Sequence, residues 1–185
     1  MNFKGTIVPI LLLSVAAVNA QVKVSNHNGN TETMNKVMPG AAVNNADRRF
    51  FTEARVATVF NLRLSEIAIR QADSAWAKEF AMMRLKDYAQ NYSELKVIGS
   101  KVGMKVDKSL PSAWEKRLSS IKAKRGMSFD STFRSNYINV NEQFAEQSER
   151  AVKSGNNSHI RNFAVTQGPV IRLNIKMATR KTTKI

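Results

Sequence analysis

The chain has 185 residues, with 29 lysines and arginines against 14 aspartates and glutamates, and a formal net charge of +15 at pH 7. It contains no cysteine, which excludes disulfide bonds, thiolate metal sites, thiol nucleophiles and a lipid-modified N-terminal cysteine. A hydrophobic content of 43% is normal for a globular protein, and a chain of this length can bury a sizeable core unaided. We therefore expect a single stable domain that requires no cofactor.

The N-terminus has the pattern of a secretory signal peptide. Lys4 precedes an apolar run over residues 6–18, and the small residues Val18 and Ala20 occupy the two positions that a signal peptidase reads. This run is shorter than the about 20 apolar residues needed to cross a bilayer. We expect cleavage before Gln21, export to the periplasm or the cell exterior, and no transmembrane segment in the mature protein.

The sequence after the cleavage site divides into three parts. Residues 21–45 are polar, contain Pro39 and Gly40, and are predicted to form a flexible linker. Apolar residues then recur at helical spacing, which predicts a helical bundle domain over residues 46–180. Residues 181–185 form a basic tail.

Two long helices are predicted in the first half of this domain. Asn45 is the predicted N-cap of the first helix. Asp73 or Ser74 is predicted to cap the second helix, and Gly103 is predicted to end it.

A short helix and two further long helices are predicted in the second half. Ser112 and Glu115 have the spacing of a capping box that opens the short helix, and Gly126 is predicted to close it. Ser128 is the predicted cap of the fourth helix, which ends at residues 155–157; the last helix contains Pro169, which should kink it. With no sustained strand pattern, the sequence predicts an all-α, antiparallel four-helix bundle with one additional short helix.

Three polar side chains lie on helix stripes that are otherwise apolar. They are Tyr88 on the second helix, Asn141 beside the stripe of the fourth, and Asn174 in line with the apolar residues of the last. A buried amide without a partner costs about 1 to 3 kcal/mol, so these residues are either hydrogen-bonded core groups or part of a ligand pocket. They are therefore our pocket candidates.

The sequence contains few of the residue patterns that metal sites and nucleophilic catalysis usually require. The carboxylates closest to inward faces are those of Glu53, Glu66, Asp87 and Glu142. The chain contains no Glu-x-x-His pair, as ferritin-like di-metal sites require, and no Gly-x-Ser-x-Gly motif. The only histidines are His27 and His159. We expect no catalytic residue and no bound metal.

Charge is distributed unevenly along the chain. No acidic residue follows Glu149, and Arg172, Lys176 and Arg180 recur every four residues on one face of the last helix, followed by Lys181. This cationic edge is either a solvated face that suits a helix C-terminus or an anion-binding surface. The candidate ligands are acidic polysaccharide, lipopolysaccharide, anionic lipid headgroups and extracellular nucleic acid, and no specific nucleic-acid site is predicted.

Several residues, in order, carry a resemblance to a known family. They are Phe51, Asn61, Glu66, Phe80-Ala81, Asp87, Gly103, Leu110, Leu118, Gly126, Phe129-Asp130, Phe133, Phe144, Phe163-Ala164 and Pro169. From about residue 46 to 178 the chain resembles the bacterial exported family called domain of unknown function 4142. The resemblance implies a ferritin-like helical bundle of the kind often described as an outer-membrane protein.

The chain departs from this family's pattern at three positions. Where the pattern has histidines, this sequence has Tyr88, Asn141 and Asn174. Phenol and amide groups are poor replacements for imidazole toward transition metals, so at most Glu66 and Asp87 would hold a hard cation weakly.

Three functions fit these observations. The first is a non-catalytic, binding or structural protein of the envelope with a basic surface. The alternative is a ferritin-like metal protein, for storage or oxidoreduction, that uses Glu66, Asp87 and His159. The third is a scaffold whose pocket binds a small apolar ligand. The sequence leaves the oligomeric state open.

Overall fold

The computed structural model describes residues 41–180, which form five α-helices connected by short loops. The helices are α1 (Asn45–Gln71), α2 (Ala75–Val102), α3 (Ser112–Lys122), α4 (Gly126–Ser154) and α5 (Ser158–Thr179). The predicted signal peptide, most of the predicted linker and the basic tail lie outside the described residues.

Four long helices pack as an antiparallel bundle, and α3 is the additional short helix, as predicted. Helix α1 packs against both α2 and α4, and α5 packs against α4, whereas α2 and α5 make few contacts. The four-helix bundle is therefore least closed along the seam between α2 and α5.

An aromatic core fills the space between these helices. Phe50 contacts the rings of Phe144 and Phe163 at centroid distances of 6.3 Å, and Tyr137 meets the Phe80 ring edge-on at 4.9 Å. Each of these rings is almost fully buried. Within residues 41–180 no helix combines the length and the apolar character that crossing a bilayer would need.

Two carboxylates tie the ends of the bundle together. The side chain of Asp47, at the start of α1, is fully buried and accepts hydrogen bonds from the backbone N–H groups of Asn156 and Asn157, at 3.1 and 3.0 Å. At the opposite end, the side chain of Asp130 on α4 accepts from the backbone of Asp73 and Ser74, at 3.0 and 2.8 Å. These contacts fix α1 and α4 against each other at both ends.

The observed helix caps confirm some predictions and correct others. Ser74 caps α2 through a 3.2 Å hydrogen bond from Ala77, and Gly103 ends α2 in the left-handed region with φ 68°. The cap of α1 is Asn44 instead of Asn45, because Asn44 and Asp47 form a reciprocal capping box at 2.8 and 3.0 Å.

The predictions for the third and fourth helices were wrong at their boundaries. Ser112 is already the first residue of α3, and Pro111 at the cap position has no side chain that can accept a hydrogen bond. Glu115 instead forms an ion pair with Arg63 of α1. Gly126 begins α4, with φ 55°, so it does not close α3 and Ser128 lies inside α4.

Candidate functional site

A polar cluster lies in the centre of the bundle, where three helices meet. The Tyr88 hydroxyl of α2 donates a hydrogen bond to the Asn141 side-chain oxygen of α4 and lies 3.4 Å from the Tyr137 hydroxyl. The Asn141 amide nitrogen donates to the Tyr137 carbonyl at 2.7 Å and lies 3.5 Å from the Asn61 side-chain oxygen of α1. All four residues are at most 2% exposed.

The two tyrosines of this cluster are held in their neutral form. Burial raises the pKa of Tyr88 well above its usual value, and the neighbouring Tyr137 adds to this effect. Burial likewise raises the pKa of the Tyr137 hydroxyl. At neutral pH both hydroxyls are therefore hydrogen-bond donors and acceptors, and neither is a base.

Several buried polar atoms near the cluster have no hydrogen-bond partner in the protein. They are Thr58 Oγ1, Asn61 Nδ2, Ser65 Oγ and the Nε and Nη1 atoms of Arg84. Buried donors are normally paired, because an unpaired one costs about 1 to 3 kcal/mol. The bundle centre thus holds several polar groups that the described part of the protein leaves without a hydrogen-bond partner.

Arg84 is the buried cation beside this centre. Its side chain is 7% exposed, its Nη2 atom lies 3.2 Å from Asp87 Oδ2, and its guanidinium stands 5.1 Å from the centroid of the Phe80 ring. The sequence analysis did not select Arg84, because an arginine on a helix stripe is usually a surface residue. Arg84 lies four residues before Tyr88, which places both side chains on one face of α2, and this spacing could have marked Arg84 as inward-facing.

A cavity of about 200 Å³ opens in the seam between α2 and α5. Asp87 and Tyr88 line it from α2, and Asn174, which is 6% exposed, lines it from α5. Tyr88 therefore links two of the sequence-selected positions: its hydroxyl bonds Asn141 in the bundle centre, and its side chain shares this cavity with Asn174.

The structure does not bring the candidate metal ligands together. Glu66 is exposed and lines a separate cleft between α1 and α3, whereas Asp87 pairs with Arg84 at the α2–α5 cavity. Glu53 pairs with Arg49 at 3.0 Å, and His159 lies at the start of α5. Nowhere in residues 41–180 do three acidic or histidine side chains converge as a metal site would require.

The cationic edge of α5 is partly neutralised. Arg172 forms an ion pair with Glu149 of α4, with the Arg172 Nε atom 3.0 Å from a carboxylate oxygen. Lys176 and Arg180 are exposed and pair with no acidic side chain of the described residues. Lys181 lies outside the described residues.

The carboxylates of Asp47 and Asp130 are structural residues that the sequence analysis did not recognise in these roles. Burial raises the pKa of Asp130, but hydrogen bonds from Ser74 and Asp73 outweigh that effect and hold the pKa below its usual value. The capping-box spacing of Asn44 and Asp47 could have identified Asp47. No local signal marks the contact between Asp73 and Asp130, because these residues are 57 positions apart in the sequence.

Fold and site together define a helical-bundle protein with a buried polar centre. A family model described as "Domain of unknown function (DUF4142)" matches residues 32–180, and the chain belongs to this family. No curated protein and no solved structure shows significant similarity to the chain. The family membership confirms the resemblance stated from the sequence and assigns no activity.

Proposed function

We propose that this is an exported, non-catalytic protein of the cell envelope whose basic surface binds anionic polymers or anionic lipid headgroups. The observation that carries the proposal is the C-terminal half of α5, where Lys176 and Arg180 are exposed and unpaired among the described residues and no acidic residue follows in the sequence. The net charge of +15 draws polyanions toward the whole molecule. The signal-like N-terminus supports export.

The residues of the cationic edge differ in whether an acidic side chain already pairs with them. Glu149 already neutralises Arg172, so an anionic ligand must compete with that carboxylate. Lys176 and Arg180 have no acidic partner among the described residues, so an anionic ligand need not displace one. We expect these two residues to contribute more to binding than Arg172.

A vesicle-binding experiment tests the proposal. The purified protein is titrated with vesicles of an anionic phospholipid and with vesicles of a neutral one, at low and high salt. Binding to the anionic vesicles alone, weakening as salt rises, is expected because screening reduces contacts between cations and phosphates. Binding that is equal for both lipids would refute the proposal.

Matched variants locate the contact. The triple variant R172Q/K176Q/R180Q should bind anionic vesicles more weakly than K86Q/K96Q/K101Q, which removes the same charge from exposed positions of α2. Equal weakening would mean that net charge, and not the α5 edge, drives binding.

Removing a negative charge beside the cationic edge should strengthen binding to anionic vesicles instead of weakening it. The variant E149Q releases Arg172 and should strengthen binding, whereas E142Q, an exposed α4 carboxylate without an ion pair in the described residues, should have a smaller effect. If E142Q strengthens binding as much as E149Q, the Arg172–Glu149 pair does not limit the site.

A further inference from the structure

Helix α5 exposes apolar side chains on the same face as its cations. Val165 and Leu173 are 49% and 58% exposed, and Pro169 between them is also exposed. Residues four apart in a helix lie on the same face, so these three side chains form one stripe. At about 100° per residue, Lys176 and Arg180 fall within the arc that this stripe occupies. The outer face of α5 therefore combines an apolar stripe with cations that pair with no acidic side chain of the described residues.

An apolar groove between α4 and α5 continues this stripe. Its volume is about 410 Å³, and it is lined by Val165 and Pro169 of α5 and by Val152 of α4. The Arg172–Glu149 ion pair lies along the same groove. Contiguous exposed apolar surface with a polar rim is typical of an interaction site. The stripe and the groove together form such a surface beside the cationic edge.

The charges around the stripe indicate which partner fits it. The sequence of α5 contains no acidic residue, and Lys181 and Lys184 follow it in the chain. A second copy of the protein would bring the same cations to the interface, and like charges that face each other oppose such a contact. The surroundings of the exposed Met82 of α2 differ, because Glu79 is also exposed and lies three residues before it. The partner of α5 should therefore be anionic and apolar at once.

We propose that the outer face of α5 lies in the surface of an anionic lipid bilayer, with Leu173, Pro169 and Val165 at the acyl chains and Lys176 and Arg180 at the phosphates. Amphipathic helices bind a membrane interface through buried apolar area together with attraction to anionic lipids. The aliphatic stems of lysine and arginine lie along apolar surface while their charges stay in water, so both kinds of side chain fit this position. A soluble polyanion would leave the apolar stripe exposed to water. The inference rests on the anionic partner proposed above and narrows it to lipid.

Matched variants titrated with anionic phospholipid vesicles and with dextran sulfate, a soluble polyanion, test this inference. All are made in the chain from residue 21 onward, which holds all five described helices, because the apolar run over residues 6–18 would itself bind vesicles. L173Q should weaken vesicle binding about fivefold by removing apolar area and should leave binding to dextran sulfate unchanged. M82Q, which removes a side chain that is 52% exposed on α2, should change neither. Thermal unfolding establishes that each variant is folded.

Failure of this inference is distinguishable from failure of the proposed function. A folded L173Q variant with the vesicle affinity of the wild type or of M82Q would overturn the lipid assignment. Binding of the wild type to dextran sulfate but not to anionic vesicles would also overturn it, whereas the proposed binding of anionic polymers would stand.

A fluorescent label measures insertion of the stripe directly. The chain has no cysteine, so L173C and M82C can each be labelled at a single position with a dye whose emission shifts to the blue in an apolar environment. Anionic vesicles should shift the emission at position 173 and not at position 82. An unshifted label at position 173 on vesicle-bound protein, or equal shifts at both positions, would overturn the proposal.

Discussion

The buried carboxylate of Asp47 allows a quantitative prediction about stability. Asp47 accepts hydrogen bonds from the backbone N–H groups of Asn44, Asn156 and Asn157. The substitution D47A removes the acceptor of all three donors. The donors at Asn156 and Asn157 belong to the turn between α4 and α5, which the start of α1 covers.

The magnitude follows from these contacts. Each buried N–H group left without a partner costs about 1 to 3 kcal/mol, and loss of the capping interaction at α1 adds about 1 kcal/mol. For the two donors of the α4–α5 turn and the cap of α1 together, we expect D47A to lower the free energy of unfolding by about 3 to 7 kcal/mol. For a domain whose total stability is about 5 to 15 kcal/mol, this is a large fraction.

Chemical unfolding followed by circular dichroism measures this loss. The variant D47N, which keeps one side-chain oxygen, should lie between D47A and the wild type. The control is D73N, because the exposed side chain of Asp73 forms no hydrogen bond or ion pair in the described part of the chain. If D47A costs less than about 1 kcal/mol, or no more than D73N, the carboxylate does not hold the bundle end together.

A second substitution tests the same contact from the other side. A Cβ atom at Gly155 would lie 2.7 Å from Asp47 Oδ1, so G155A should displace the carboxylate. The costs of G155A and D47A should therefore be non-additive in the double variant. Additive costs would show that Gly155 is required for another reason, such as its 2.5 Å approach to the Ala151 carbonyl.

Three further predictions concern other parts of the bundle. Y88F removes the donor to the Asn141 side chain and should cost about 1 to 3 kcal/mol in urea unfolding, and a stability equal to the wild type would mean that this amide finds another donor. D130N should cost about 1 kcal/mol at pH 7, because it replaces one of the two oxygens that accept from the backbone at the start of α2 with an amide NH2 group and removes the negative charge. Because the folded-state pKa of Asp130 is lowered, that contribution is present above about pH 4 and is lost as the pH falls through the lowered value; a pH-independent difference between D130N and the wild type would contradict this. G99A should lower the melting temperature, since its Cβ atom would lie 2.4 Å from the Met104 carbonyl, whereas G103A, at φ 68° in open space, tests backbone strain alone.

Local patterns in the sequence were sufficient to predict the fold class. The 3.6-residue period of apolar residues reports which face of a helix is buried, and the burial of Phe50, Leu64, Leu95 and Phe133 follows that period. Helix ends were predicted less accurately, because a cap depends on which side chain reaches the free N–H groups. Asn44 and not Asn45 makes that contact at α1.

The polar centre could be predicted in part. The stripe pattern identified Tyr88 and Asn141 as inward-facing, and the structure joins them by a hydrogen bond. The pairing of Arg172 with Glu149 connects residues 23 apart on different helices, so helical spacing could not reveal that the edge is partly neutralised. Glu66 was grouped with Asp87 on sequence grounds, but the rotation of α1 about its axis turns Glu66 toward α3.

The two end contacts impose a length rule on the bundle. On α1 and its following turn, Asp47 and Asp73 are 26 positions apart, and on α4 and its following turn Asp130 and Asn156 are also 26 positions apart. At a rise of 1.5 Å per residue, both spans measure about 39 Å if helical throughout. Deleting one residue from either helix would shorten one span by about 1.5 Å and rotate one end by about 100° relative to the other. We therefore expect natural relatives to differ in length mainly in the loop over residues 103–111. A length change within α1 should be accompanied by an equal change within α4.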